Sequence, residues 1–237
     1  MVYDWLRKAQ LLLYPGTCLL CKAPGHRGMD LCQDCLAALP RIPRPCTRCG
    51  EPLAVAAAQG SLCGACQKRL PAFDACHAAL AYQGPVPLLV SGLKFHDRLA
   101  CARLLAELLC QHLDDQDDEP PELIIPVPLH PQRLRERGFN QALELARPLS
   151  RRFAIPLDTR SCRRTRQTHP QTELDRKLRT KNLRGAFSVG AKLRARHVAI
   201  LDDVVTTGST TGELAKVLKR AGVERVDVWA AARALGD

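Results

Sequence analysis

The sequence predicts an α/β protein with a parallel sheet, preceded by a small module stabilised by metal. From about residue 73 onward, continuous apolar runs alternate with amphipathic helical patterns, which is typical of parallel strands covered on both faces. Before them, eight cysteines fall in four Cys-x-x-Cys pairs within a 49-residue stretch. A length of 237 residues accommodates one domain of ordinary size together with such a module.

Composition narrows the class of protein further. A hydrophobic fraction of 46% and a charged fraction of 25% are ordinary for a folded chain and exclude an intrinsically disordered one. No apolar run approaches the roughly 18 residues that a membrane helix needs. The first residues lack the apolar region and the cleavage site of a signal peptide. We therefore expect a cytoplasmic protein without a membrane span.

The net charge of +11 is concentrated in one segment. Residues 130–196 carry 18 basic and 5 acidic side chains, so the remainder of the chain is close to neutral. Such a segment attracts phosphate, either on a small metabolite or on nucleic acid. A solubilising surface alone requires less charge than this, so the pattern favours an anion-binding function.

The cysteine spacing indicates structural zinc. Two residues between cysteines allow both sulfurs to reach one Zn²⁺ at about 2.3 Å, and thiols that stay reduced favour metal over disulfides. Four thiolates close a site, so both ions are expected to be structural. The simplest pairing is sequential, and the spacing leaves an interleaved pairing open. In the sequential assignment the ligands are Cys18, Cys21, Cys32 and Cys35 for one ion and Cys46, Cys49, Cys63 and Cys66 for the other. The remaining cysteines, predicted to be small buried hydrophobes, are Cys76, Cys101, Cys110 and Cys162.

The chain divides into a helix and cysteine module over residues 1–70 and a larger domain over residues 73–237. The first helix is expected to dock on the protein through one apolar face formed by Val2, Trp5, Leu6, Ala9, Leu12 and Leu13. In the larger domain, strands are predicted at 77–82, 122–129, 157–162, 197–201 and 225–231, and helices at 86–93, 98–112, 140–153 and 210–221. Residues 163–184 are basic and lack periodicity, which predicts a long mobile loop.

The sharpest motif joins a buried strand to the start of a helix. The apolar residues 198–201 are followed by Asp202 and Asp203, and then by a turn with the sequence Thr206-Thr207-Gly208-Ser209-Thr210. Backbone amides, hydroxyls and the helix dipole at such a turn favour a phosphate, and Gly208 allows close approach. The carboxylates suit the hydroxyls of a ribose beside that phosphate, or a metal ion. The pattern of a nucleotide P-loop does not occur.

This thirteen-residue stretch resembles the loop that binds phosphoribosyl pyrophosphate (PRPP) in type I phosphoribosyltransferases. Other segments are similar to the ComF family, also called the GntX or competence protein F family. They comprise residues 125–141, Lys94-Phe95, residues 164–168, Gln171, Leu174, Arg179, Asn182 and Ala186-Phe187. The resemblance covers about residues 15–232 and implies a type I phosphoribosyltransferase core behind a double zinc ribbon.

The resemblance also implies roles for individual residues. Asp202 and Asp203 would bind the ribose hydroxyls of PRPP. The five residues that would hold its 5-phosphate are Thr206, Thr207, Gly208, Ser209 and Thr210. Four basic side chains would contact the ligand: Lys94, Arg133, Arg135 and Arg137. A Mg²⁺ ion would bridge the pyrophosphate and the ribose of PRPP. The catalytic residues would be Asp202, Asp203, Arg135 and Arg137, with the arginines stabilising the charge that develops as pyrophosphate leaves. The loop at 163–184 would act as a lid.

In function, the resemblance implies natural transformation and DNA uptake. A protein of this family would handle single-stranded DNA in the cytoplasm and have other DNA-uptake proteins as partners. Two alternatives stay open: an active phosphoribosyltransferase of nucleotide metabolism with an unidentified acceptor, and a regulator that senses PRPP. Because the chain has only 5 Phe, 3 Tyr and 2 Trp residues, DNA binding would depend more on charge than on base stacking.

Overall fold

The computed structural model describes residues 16–54, 58, 60–95, 99–166, 183, 185–190 and 193–236. The side chains of Lys94 and Phe95 are outside this description. So is the apolar face expected over residues 2–13, together with most of the loop expected at 163–184.

A parallel sheet of four strands forms the centre of the larger domain. In chain order its strands are β1 (Ala75–Ala81), β2 (Leu123–Pro126), β5 (His197–Val205) and β6 (Arg225–Arg233), and their spatial order is β1–β6–β5–β2. Leu157 adds one parallel bridge to Ile124 on the outer side of β2. The first five residues of β5 and every residue of β6 after the first are buried, as expected for parallel strands covered on both faces.

Helices cover both faces of this sheet. They are α3 (Val86–Phe95), α4 (Leu99–Asp114), α5 (Pro131–Arg137), α6 (Gln141–Phe153) and α7 (Ser209–Arg220), and the cysteine module adds the short α1 (Gln33–Ala37) and α2 (Gly64–Lys68). The connection from β5 to β6 and the connection from β2 to Leu157 run in opposite directions across the sheet. Right-handed crossovers therefore place α7 on one face and α6, packed against α4, on the other.

Several local features differ from the sequence-based expectation. The strand predicted at 157–162 is reduced to the single bridge of Leu157 to Ile124. Strand β5 continues to Val205 rather than ending at residue 201, because its pairing with β6 extends to Arg233. The basic stretch after β2 forms helix α5, which Pro131 begins and Gly138, in the left-handed conformation, ends. An antiparallel hairpin of β3 (Cys162–Arg164) and β4 (Phe187–Val189) incorporates the first residues of the segment predicted to be a loop.

The cysteine module packs against the α/β domain and shares its hydrophobic cluster. Leu31, Leu39 and Ile42 of the module are buried in this cluster. The amide of Ala81 at the end of β1 donates to the Pro40 carbonyl at 2.8 Å. The four cysteines outside the pairs are buried, which confirms their assignment as core residues. Among the described residues, no helix has both the length and the apolar character required to cross a bilayer.

Protonation of His112, near the end of α4, is expected to destabilise the folded state in weak acid. Burial lowers the pKa of His112 to about 4, and the charges of His77 and Arg41 act in the same direction. A histidine in the unfolded chain has a pKa of about 6.5. The unfolded state therefore takes up the proton first, and the free energy of unfolding falls as the pH drops through this window. Between pH 7 and pH 5 the expected loss is about 2 kcal/mol.

Urea unfolding at the two pH values, with His112→Gln as the comparison, measures this contribution. The variant should lose less stability than the wild type on acidification, because it removes the buried group that titrates. An identical pH dependence in the two proteins would contradict the assignment.

Candidate functional site

The candidate site lies at the carboxyl edge of the sheet, between β5 and β2. At this edge the chain turns from β5 toward β6 on one side and from β2 toward Leu157 on the other. Such a reversal of direction opens a crevice, and open α/β sheets bind their ligands there. The motif that the sequence singled out, Asp202 to Thr210, runs from the end of β5 to the start of α7 at this edge.

The turn between β5 and α7, here called the phosphate turn (Thr206–Thr210), has the geometry of an anion site. Gly208 has a φ of +69° and precedes the first residue of α7 without a side-chain cap. The Thr207 and Ser209 hydroxyls lie 2.7 Å apart, and the Ser209 amide donates to Thr207 Oγ1 at 3.3 Å. Since the first amides of a helix have no partner within the helix, they and these hydroxyls can bind a phosphate.

Gly208 packs against Phe73, and its positive φ favours glycine. A Cβ atom at this position would lie 3.4 Å from two ring atoms of Phe73, which itself is 1% exposed. A side chain would also be strained at this positive φ. The turn is therefore held closely against the residue that leads into β1.

The two acids lie at the end of β5 and are held by the backbone. Asp202 Oδ1 accepts from the Asp203 amide, and Asp203 Oδ1 accepts from the Val204 amide, both at 2.9 Å. Neighbouring residues of a strand face opposite sides of the sheet. The two carboxylates accordingly act on different cations: Asp202 on Arg164, and Asp203 on Arg137.

Three arginines from two elements gather beside these acids. Burial lowers the pKa of Arg137, with Arg133 adding to the effect and Asp203 opposing it. Burial likewise lowers the pKa of Arg164 on β3, where Asp202 opposes the effect and Arg133 adds to it. A bound anion would relieve the repulsion within this group of guanidinium charges. The group is here called the arginine cluster.

The structure separates the basic residues that the sequence had grouped together. Arg133 and Arg137 are four residues apart on one side of α5 and are partly buried, whereas Arg135 lies between them on the other side and is exposed. Lys94 belongs to the last turn of α3, but its side chain is outside the described residues. The proposed roles of all these residues remain predictions.

Arg164 is a site residue that the sequence reasoning did not select. Its guanidinium carbon lies 5.6 Å from the ring centroid of Phe187, its pairing partner across the β3–β4 hairpin. The residue stood within a stretch that carried the family resemblance, but its neighbours Arg163 and Arg166 are equally basic. The antiparallel pairing, which is not visible as a periodicity in three residues, is what directs Arg164 toward Asp202.

Both cysteine groups fit a zinc ion. In each group the four sulfurs lie within 4.8 Å of one another, with Cys21 and Cys32 sulfurs at 3.5 Å and Cys49 and Cys63 sulfurs at 3.6 Å. Four sulfurs at about 2.3 Å from a tetrahedral zinc are separated by similar distances. The structure groups the cysteines sequentially: Cys18, Cys21, Cys32 and Cys35 lie together in the first group, and Cys46, Cys49, Cys63 and Cys66 in the second.

Backbone amides favour the thiolate form in each site. Burial opposes ionisation of Cys46, but the amides of Cys63, Cys49 and Arg48 lower its pKa to about 7. In the first site, amides outweigh burial in the same way and lower the pKa of Cys18 to about 6. At Cys18 and Cys46 these amides therefore favour the thiolate, which is the form that binds zinc. At Cys35 the pKa is raised instead by hydrogen bonds with neighbouring thiols, and at Cys66 it is raised by burial.

Fold and candidate site together define a class: a zinc-ribbon protein whose parallel α/β domain carries a phosphate-type turn. Residues 9–67 match the model of the double zinc ribbon domain. The DNA utilization protein YhgH of Salmonella typhimurium is 37% identical over 233 residues, which cover 95% of this chain and 100% of that protein. Competence protein F of Haemophilus influenzae is 36% identical over 225 residues, covering 92% and 96% respectively. The chain belongs to the competence protein F (ComF) family.

Among solved structures, the chain is similar to glutamine phosphoribosylpyrophosphate amidotransferase from B. subtilis, which was solved in complex with ADP and GMP. The TM-score is 0.40 and the identity is 18%. The similarity covers 60% of this chain and 30% of that enzyme.

Proposed function

We propose that the protein binds PRPP with Mg²⁺ at the carboxyl edge of its sheet and acts in DNA uptake and utilization, handling single-stranded DNA in the cytoplasm. The observation that carries the first part is the convergence of the phosphate turn, the acid pair and the arginine cluster in one crevice. The names of the relatives, DNA utilization protein and competence protein, support the second part.

Each group of the site has one role in this proposal. The amides and hydroxyls of the phosphate turn bind the 5-phosphate, and Asp202 and Asp203 accept hydrogen bonds from the ribose hydroxyls. The arginine cluster binds the pyrophosphate oxygens. The acids supply oxygen ligands of the kind that Mg²⁺ prefers, and the metal would neutralise charge on the pyrophosphate.

Turnover separates this proposal from the alternative of an active phosphoribosyltransferase. An enzyme would release pyrophosphate from PRPP when supplied with its acceptor, whereas a binding protein or a PRPP-sensing regulator would not. Release of pyrophosphate, measured across nucleobases, distinguishes these cases. Calorimetry with PRPP and Mg²⁺ tests the binding that they share, and undetectable binding by the wild type would refute the proposal.

Two arginines of α5, Arg137 in the arginine cluster and Arg135 outside it, allow a controlled test of the cluster. Arg137→Met should weaken PRPP binding about tenfold or more, because a hydrogen bond to a charged group contributes roughly 1.5–3 kcal/mol. Arg135→Met should have a smaller effect, since Arg135 is exposed on the other side of α5. Calorimetric titration of both variants measures the difference. Equal losses would mean that general attraction, rather than the cluster, binds the ligand.

Binding of single-stranded DNA is expected to weaken steeply with salt. The basic charge lies mainly in residues 130–196, and each phosphate contact with a single strand contributes about 0.7 to the slope of log affinity against log salt. Anisotropy titrations of a labelled oligonucleotide over a range of salt concentrations measure this slope. A nearly flat dependence would point to base stacking and contradict the charge-based interpretation.

A further inference from the structure

Arg233, the last residue of β6, joins the second zinc site to the phosphate turn. It is 7% exposed, and its guanidinium spans two parts of the chain. On one side Nε donates to the carbonyl of Cys49 at 3.0 Å, and Nη2 pairs with Glu51 at 2.7 Å. On the other side Nη1 donates to the carbonyls of Val205, at 3.2 Å, and Thr206. One buried cation therefore binds both the backbone of a zinc ligand and the first residue of the phosphate turn.

The Cys46–Cys49 knuckle of the second zinc site also contacts α7, the helix that follows the turn, through ion pairs. Arg48, between Cys46 and Cys49 in sequence, pairs with Asp74 at 3.2 Å. The other oxygen of Asp74 pairs with Lys219 on α7 at 2.5 Å and accepts from the Val226 amide at 2.8 Å. This chain of ion pairs connects the knuckle to α7.

Apolar packing completes the support beneath the turn. Phe73, in the short segment that connects the second ribbon to β1, packs against Gly208. Within the ribbon, a Cβ on Gly50 would lie 3.1 Å from the Cys76 carbonyl of β1. The second ribbon therefore packs closely against β1 at Gly50, and the phosphate turn packs against Phe73 just before β1.

The first zinc site has different neighbours. Asp30 of the first ribbon pairs with Arg103 of α4, and Nε2 of the Gln111 side chain on the same helix donates to Sδ of Met29 at 3.7 Å. Helix α4 packs with α6 on the face of the sheet opposite α7. The first ribbon therefore provides a matched comparison for the second.

We infer that zinc in the second site holds the phosphate turn in its conformation through Arg233, so that this zinc and the ligand of the turn stabilise each other's binding. The identity of that ligand as PRPP rests on the proposed function. Without zinc, the knuckle is free to move, and the carbonyls of Val205 and Thr206 lose a fixed partner. Coupling between two sites is reciprocal, so a ligand at the turn must also retain the zinc.

A pair of arginine variants tests the connection while the zinc ligands stay intact. Arg233→Lys keeps the charge but loses the planar fork that reaches both partners. In this variant we expect faster amide hydrogen exchange over residues 205–210 than in the wild type, even without a ligand. It should still bind two equivalents of zinc. Its affinity for PRPP should fall at least about fivefold, which is the lower end of the usual range for coupled sites. Arg103→Lys, at the arginine that holds the first ribbon, should leave exchange at the turn and PRPP affinity unchanged.

Zinc retention tests the reciprocal effect. Cys32→Ser leaves zinc in the second site only, and Cys63→Ser leaves it in the first site only. PRPP with Mg²⁺ should raise the chelator concentration needed to withdraw zinc from the Cys32→Ser protein at least about fivefold, and should not do so for the Cys63→Ser protein. Mass spectrometry of the intact chains follows the zinc content directly.

The outcomes separate this inference from the proposed function. Unchanged hydrogen exchange over residues 205–210 in Arg233→Lys would overturn the inference. So would an equal effect of PRPP on zinc retention in the two single-site proteins, provided that the wild type binds PRPP. If the wild type binds no PRPP, the proposed function fails. Faster exchange at the turn in Arg233→Lys would in that case still support the structural role of the second zinc site.

Discussion

Replacing Asp202 and Asp203 by asparagine should lower the affinity for PRPP about a hundredfold or more. Each substitution preserves the size of the side chain but removes a negative charge, and each lost charge-assisted hydrogen bond costs roughly 1.5–3 kcal/mol. Single-stranded DNA attracted by the arginines should bind as well as before or slightly better, because the edge of the sheet becomes less negative. Calorimetry for PRPP and anisotropy for DNA measure the two affinities on the same preparations.

A matched variant separates the local effect from the change in net charge. Asp115 and Asp117 are exposed in the segment after α4, and their joint replacement by asparagine alters the net charge equally. That variant should retain the PRPP affinity of the wild type. If the Asp202 and Asp203 variant loses both ligands together at unchanged thermal stability, PRPP and DNA share one site, and the separation of the two functions is wrong. Unchanged PRPP affinity would remove the acids from the binding site.

Replacing Cys32 by serine should lower the zinc content from two equivalents to one and unfold the first ribbon. Zinc bound by four thiolates contributes on the order of 10 kcal/mol to the folding of small modules, which have little hydrophobic core of their own. The parallel sheet should stay folded, because most of the apolar side chains in the shared hydrophobic cluster belong to its own strands and helices. Elemental analysis gives the stoichiometry, and hydrogen exchange over residues 16–39 compared with β5 and β6 locates the unfolding.

Cys110→Ser is the control for this experiment. Cys110 is a buried cysteine of α4 outside both zinc sites, so its replacement should leave two equivalents of zinc. Wild-type protein with well below two equivalents and with its paired cysteines oxidised to disulfides would contradict the zinc assignment. Loss of the sheet together with the first ribbon would show that the two regions fold as one unit.

The two metal sites and the phosphate turn were accessible to sequence reasoning because their chemistry is local. Two residues between cysteines and a run of Thr, Gly and Ser after two acids place the relevant atoms near one another whatever the remainder of the chain does. The alternation of apolar strands and amphipathic helices likewise predicted the parallel sheet, since burial of both faces requires that pattern. The pairing of cysteine knuckles was different, because the spacing allows two pairings and only packing decides between them.

Tertiary structure decided which basic residues belong to the site. In sequence, Arg133, Arg135 and Arg137 are equivalent members of a basic run, and only the formation of α5 places the middle one on the opposite side. Arg164, which interacts electrostatically with Asp202, lies on a three-residue strand whose partner is more than twenty positions away.

Arg233 shows most clearly that contacts between distant parts of the chain are not predictable from the sequence. Its sequence position, at the end of an apolar strand, identifies it only as a charged residue near the chain end. Its hydrogen bonds join Cys49, 184 positions earlier, to Val205, 28 positions earlier. The sequence alone identified the eight paired cysteines, the alternation of strands and helices and the phosphate turn, because each of these is formed by residues close together in the chain. The tertiary structure determined how the turn is supported and which cations face it, because those contacts bring together residues that no local pattern relates.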